Sequence, residues 1–107
     1  MNYLELKHNP TLKDFQDYVV TLEIQRGFAD QNVIEKCLLL GEEMGELFKS
    51  VRKTSKLKTD INAKIGSVSE EIADILIYLC SIANRYGIDI EQAFRDKEEI
   101  NKNRTWK

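Results

Sequence analysis

The ten residues from Ile75 to Asn84 carry no charged side chain. Ser67 and Glu70 form a capping box before them, and Gly87 supplies a stop after them. The helix this predicts runs from about Val68 to Tyr86. Ile72, Ile75, Leu76, Ile77, Leu79, Cys80, Ile82 and Ala83 place apolar groups on nearly all of its faces. A helix apolar all round has to be covered on every side. A chain of 107 residues has little else to cover it with. The expectation is therefore an all-α fold, a four-helix-bundle-like subunit completed by oligomerisation, with residues 1–107 as a single domain.

Three more helices follow from the same signals. Thr11 with Asp14 caps a helix over about 12–26, with Leu12, Phe15, Tyr18, Val19 and Leu22 at helical spacing and Gly27 as its C′ residue. Asn32 with Glu35 opens a second helix from Val33 to about Lys53, whose apolar arc reads Val33, Cys37, Leu40, Met44, Leu47, Phe48 and Val51. Asp89 with Gln92 opens the last, over about 90–103. The polar stretch 54–66 reads as a loop with one helical turn at Asp60 to Lys64.

Composition removes several classes of function. A net charge of -2 without a basic patch gives no electrostatic case for nucleic acid. No apolar run reaches the ~18 residues of a membrane span, and no signal or lipidation motif is visible, so a cytoplasmic protein is expected. Cys37 and Cys80, both inside apolar runs, read as reduced core residues. His8 is the single histidine. That excludes a di-iron Glu-x-x-His bundle, a Cys/His zinc site and nucleophile chemistry that needs a histidine base.

Chemistry concentrates in two acidic pairs, Glu43 with Glu46 and Glu71 with Asp74, each three residues apart on a helix and so on one face. Glu43 is bracketed by Leu39 and Leu47, and Glu71 shares a sector with Ile75, Tyr78 and Ile82, so both border apolar surface. Gly45 costs its helix about 1 kcal/mol relative to Ala, which suggests close approach of a backbone or ligand there. The residues alone leave two readings open: two solvated acidic edges, or one site in which four carboxylates meet around a cation. Four carboxylates cannot gather half-buried without one, and an all-oxygen set suits Mg²⁺ or Mn²⁺. On the last helix Lys97, Asn101 and Arg104 continue the stripe begun by Ile90, Ala93 and Phe94, and such a face can hold an anion or simply favour a helix C-terminus. Lys53, two turns past Glu46, is a further candidate phosphate contact or an ordinary surface lysine.

The order Glu43-x-x-Glu46, a spacer, Glu71-x-x-Asp74, then Lys97-x-x-x-Asn101-x-x-Arg104 resembles the MazG-like all-α nucleotide pyrophosphohydrolases. Leu40-Gly41-Glu42-Glu43-Met44-Gly45-Glu46-Leu47 and Glu70-Glu71-Ile72-Ala73-Asp74-Ile75-Leu76-Ile77-Tyr78-Leu79 resemble the family's first two motifs. The resemblance implies a Mg²⁺-dependent hydrolase, with Mn²⁺ as an alternative, that splits a nucleoside triphosphate into monophosphate and pyrophosphate, favours deoxynucleotides and serves nucleotide-pool cleaning. It implies Glu43, Glu46, Glu71 and Asp74 as metal ligands, with Glu43 or Glu46 activating water. It implies Lys97, Asn101 and Arg104 as substrate contacts, and Tyr78 as the match of a tyrosine in dCTP-hydrolysing members. It also implies a homodimer or tetramer. Two other readings stand beside it: a hydrolase of another phosphorylated metabolite, and a non-catalytic helical module that binds nucleotide or a partner.

Overall fold

Each capping signal is realised in the computed structural model, which describes residues 4–106. The helices are α1 (Leu12–Arg26), α2 (Val33–Thr54), α3 (Val68–Arg85) and α4 (Ile90–Lys102), and the described residues contain no strand. Thr11 and Asp14 form a complete capping box, and Asn32, Ser67 and Asp89 each accept a hydrogen bond from the backbone three residues on. Gly27 ends α1 in the left-handed conformation (φ 77°), where a side chain would be strained. The stretch after Thr54 is a loop, as expected, and where a helical turn was expected the Ala63 amide donates to the Asp60 carbonyl and closes a turn.

α3 is the central element, packed against α2 on one side and α1 on the other. Val19 and Leu22 of α1 and Cys80 of α3 make the fully buried core, with Phe15, Tyr18, Leu76 and Ile77 partly buried around it. A buried amide fixes where α4 begins. Gln16 donates to the Asn84 side chain and the Ile88 carbonyl (3.1 and 2.7 Å) and accepts from the Ile90 amide (3.0 Å). α4 therefore rests on α1. Among the described residues no helix is long and apolar enough to cross a membrane.

Three expectations need correction. The apolar arc of α2 does not point inward. The buried positions of α2 are Lys36 and Ser50, with Glu43 half-buried on the same seven-residue line, while Met44, Phe48 and Val51 are exposed. α3 meets the edge of the arc, so Val33, Leu40 and Leu47 are half-buried and the rest of the arc is left open. For the same reason Cys37 is exposed, and Cys80 alone of the two cysteines is a core residue. α4 has no buried residue, and Phe94 and Ile100 lie open on it. Its stripe therefore does not face inward within the chain.

α3 is also covered on only two sides within the chain. Ile72, Leu79 and Tyr86, at i, i+7 and i+14, remain 55, 45 and 64% exposed. The Cα radius of gyration is 16.5 Å, against about 13 Å for a compact chain of this length.

Candidate functional site

Glu43 meets Glu71 and Asp74 across the α2–α3 interface. Two turns earlier on α2, Lys36 stands over the ring of Tyr78, one turn later on α3. The two helices therefore run antiparallel, and the first acidic motif lies opposite the second. Carboxylate oxygens of Glu43, Glu71 and Asp74 lie within 4.8 Å of one another. Glu71 is buried, Glu43 half-buried and Asp74 exposed, so the cluster opens to solvent on the Asp74 side.

Local structure explains how like charges are held so close. Glu71 sits in the first turn of α3, where the unpaired amides favour negative charge. Gly66, just before the Ser67 cap, leaves room for it: a Cβ there would collide with the Glu71 carboxylate. Among the described residues nothing comes within 4 Å of a Cβ at Gly45, so no other part of this chain makes a close approach there. The tension appears in the protonation equilibrium. Burial, then a hydrogen bond shared with Glu71, then the charges of Asp74, Glu71 and Glu46 push the Glu43 carboxyl from its ordinary 4.5 up to about 7. Among the described residues no lysine or arginine forms an ion pair with Glu43, Glu71 or Asp74. An all-carboxylate set without a counter-cation fits a hard divalent cation such as Mg²⁺ or Mn²⁺.

The remaining predicted residues divide. Glu46 lies one turn beyond Glu43, half-buried, outside the 4.8 Å group and paired with Lys49 at 3.6 Å. Tyr78 is half-buried beside the cluster; burial, then the charges of Glu43, Asp74 and Glu42, raise its hydroxyl pKa. Lys53 is exposed near the end of α2. Lys97 and Arg104 are exposed, and the Arg104 guanidinium stacks on Trp106 at 4.6 Å from the ring centre. Asn101 donates to Glu98 at 2.8 Å, and its own side-chain oxygen is buried without a partner among the described residues. None of the charges acting on Glu43 belongs to α4. Spacing shows that these α4 residues share a face, but not what that face meets.

Residues 31–105, which contain both acidic motifs and the α4 stripe, match the model of the MazG nucleotide pyrophosphohydrolase domain. The chain belongs to the MazG family. The crystal structure of C-terminally tagged iMazG from Vibrio DAT 722 is similar to it at 32% identity and a TM-score of 0.66, over 86% of this chain and 98% of that one. The N-terminally tagged form of iMazG is similar to the same degree, over 88% and 99%. Comparison with curated proteins finds no match.

The MazG chain holds a second buried polar group that the sequence reading did not find. Glu23 of α1 pairs with Lys36 (3.1 Å) and Arg85 (2.9 Å) and accepts from the Ser81 hydroxyl (3.0 Å). Arg85 also donates to the Gln31 and Phe28 carbonyls, which ties the α1–α2 connection to α3. Burial raises the Glu23 pKa, but the hydrogen bonds from Arg85, Lys36 and Ser81 outweigh it and hold the carboxyl below its ordinary range. A signal was present. Glu23 falls four residues after Val19 on the buried face of α1, and Lys36 falls seven before Glu43 on α2.

Proposed function

We propose that this MazG domain hydrolyses nucleoside triphosphates to monophosphates and pyrophosphate with the help of Mg²⁺ or Mn²⁺, with deoxynucleotides preferred. The observation that carries the reading is the trio Glu43, Glu71 and Asp74, which runs from buried to exposed with no cation among the described residues to neutralise it.

Glu43, Glu71 and Asp74 are the residues that would hold the cation. When bound, it screens the carboxylates from the triphosphate and draws charge from a phosphoryl oxygen. Glu46 stands at the rim, one turn from the trio and held only by the partly exposed Lys49. There it orients the attacking water and takes its proton as a general base. Tyr78 walls the site on the α3 side, and its raised hydroxyl pKa keeps it neutral. Lys53, Lys97, Asn101 and Arg104 take the far phosphates and the sugar. The α4 groups among them act from a neighbouring copy, because α4 rests on α1 and not at the α2–α3 cluster.

That requires an oligomer, and the open apolar surfaces support one. Ile34, Leu38 and Phe48 along α2 are 68, 72 and 59% exposed, and the Ile72–Leu79–Tyr86 line of α3 is bare. A second copy on these faces completes the core, as a homodimer or a pair of dimers. Pool cleaning, the removal of unwanted deoxynucleotides, is the role that fits such an activity.

Product analysis tests the reading. Purified protein with each dNTP and NTP should release monophosphate and pyrophosphate only when Mg²⁺ or Mn²⁺ is present. Failure with all of them at high protein concentration would overturn it.

A further inference from the structure

Lys36 is buried to 3% exposure, which is unusual for a lysine. Its ion-pair partner among the described residues is Glu23, and Glu23 also holds Arg85. A buried ammonium and a half-buried guanidinium thus share one carboxylate. An ammonium has three N–H donors, and the pair with Glu23 at 3.1 Å occupies one. The faces of Phe28 and Tyr78, 5.1 and 5.6 Å away at their centres, flank the cation but offer no lone pair. Lys36 therefore has donor capacity to spare, in a fixed place.

That place is the wall of a cavity of about 110 Å³ between α1, α2 and α3. Phe28 and Tyr78 line it, and so does Asp74, a member of the carboxylate trio. The cavity thus touches both a carboxylate of the acidic cluster and the ammonium. Lys36 and Glu43 lie on one line of α2, seven residues and so about 10 Å apart along the axis. A nucleotide with its phosphates at the cluster extends a sugar and base over about that length. Aromatic walls suit a flat ring, and hydrogen-bond acceptors lie on the edge of every nucleobase.

We propose that Lys36, fixed by Glu23, donates a hydrogen bond to an acceptor atom on the base of the bound nucleotide and is a specificity-determining residue. The inference rests on the function proposed above. Phosphate contact is a different role and predicts different kinetics.

The test is Lys36→Met, which keeps most of the stem and removes the donor, with Lys36→Gln as a partial rescue. Glu23 keeps Arg85 and Ser81 in both variants, so the fold is expected to stand, with helical circular dichroism as the check. With the best nucleoside triphosphate and Mg²⁺, kcat/KM should fall roughly 10- to 100-fold, mostly through KM, as for loss of a hydrogen bond to a charged donor. Lys36→Gln should recover part of that loss. The inhibition constant of inorganic tripolyphosphate, which has no base, should stay within about twofold of wild type. Equal weakening of tripolyphosphate and nucleotide would overturn the proposal in favour of a phosphate contact. Unchanged KM for the nucleotide would overturn it outright. A wild type that turns over no nucleotide would remove the function reading, and this inference with it.

Discussion

Two polar clusters flank Tyr78, one enclosed and one open to solvent on its Asp74 side, and they are built on opposite principles. On one side Glu23 is matched by Lys36, Arg85 and Ser81, and its carboxyl is held below the usual range. On the other, Glu43 faces Glu71 and Asp74 with no matching cation among the described residues, and its carboxyl is pushed up to about 7. The same two helices, α2 and α3, supply residues to both. The matched cluster is satisfied by the chain itself and locks α1, α2 and α3 together. The unmatched one has no such partner among the described residues. Burial alone therefore does not mark a functional site; burial with unbalanced charge does.

The difference can be broken from either side. The largest effect is expected on catalysis. Glu43→Gln or Asp74→Asn should lower turnover on the order of 10³-fold or more by removing a cation ligand, while circular dichroism stays helical. On the matched side, Glu23→Gln should leave activity secondary and stability primary. It strands the buried Lys36 and weakens the hold on the half-buried Arg85, a loss of about 3–5 kcal/mol for a broken buried pair. In a chain of this size that lowers Tm by 10 °C or more, at about 4–8 °C per kcal/mol.

Opposite pH behaviour sharpens the comparison further. Glu23 has a depressed pKa, so its contribution is present above its unfolded value near 4.5 and is lost as pH falls through the folded value. Glu43 has a raised pKa, so the metal-free protein loses stability as pH rises from about 4.5 through about 7. At 1.36 kcal/mol per pKa unit the Glu43 effect is on the order of 2–3 kcal/mol. Thermal melts in chelator should show it, and Glu43→Gln should be flat over that window and more stable than wild type at pH 8. Addition of Mg²⁺ should also abolish the loss.

Smaller effects separate room from charge. Gly66→Ala pushes on the flexible end of Glu71, so Tm should change by less than about 1 kcal/mol in equivalent stability. Cation affinity, which depends on where that carboxylate sits, should fall about tenfold by calorimetry. Arg95→Ala breaks only the exposed pair with Glu91 and should cost under about 0.5 kcal/mol.

Much of this was legible in the sequence because it was written in local chemistry. The four N-caps and the two acidic pairs depend on residues three apart, and α3 is apolar over whole turns. What periodicity does not specify is which edge of an arc meets a neighbour. The apolar arc of α2 was correctly composed but wrongly aimed, and Cys37 was misplaced with it. The packing line of α2 carries Lys36, Glu43 and Ser50, which hydrophobic patterning discounts. Glu23 lies on the buried face of α1, but its pairing with Arg85 depends on helices distant in sequence being brought together. Gly66 matters because of where Glu71 folds back, and a glycine in a loop gives no sign of that.

The most direct test of the account is calorimetric titration of the metal-free protein with Mn²⁺ at pH 7, in two buffers of different ionisation enthalpy. With one carboxyl of the trio near pKa 7, cation binding should release about half a proton per site. Both the binding and the proton release should survive Lys36→Met, and both should be lost in Asp74→Asn. Binding of equal strength in Asp74→Asn, or binding with no proton released, would contradict the claim that the unmatched carboxylates are a cation site.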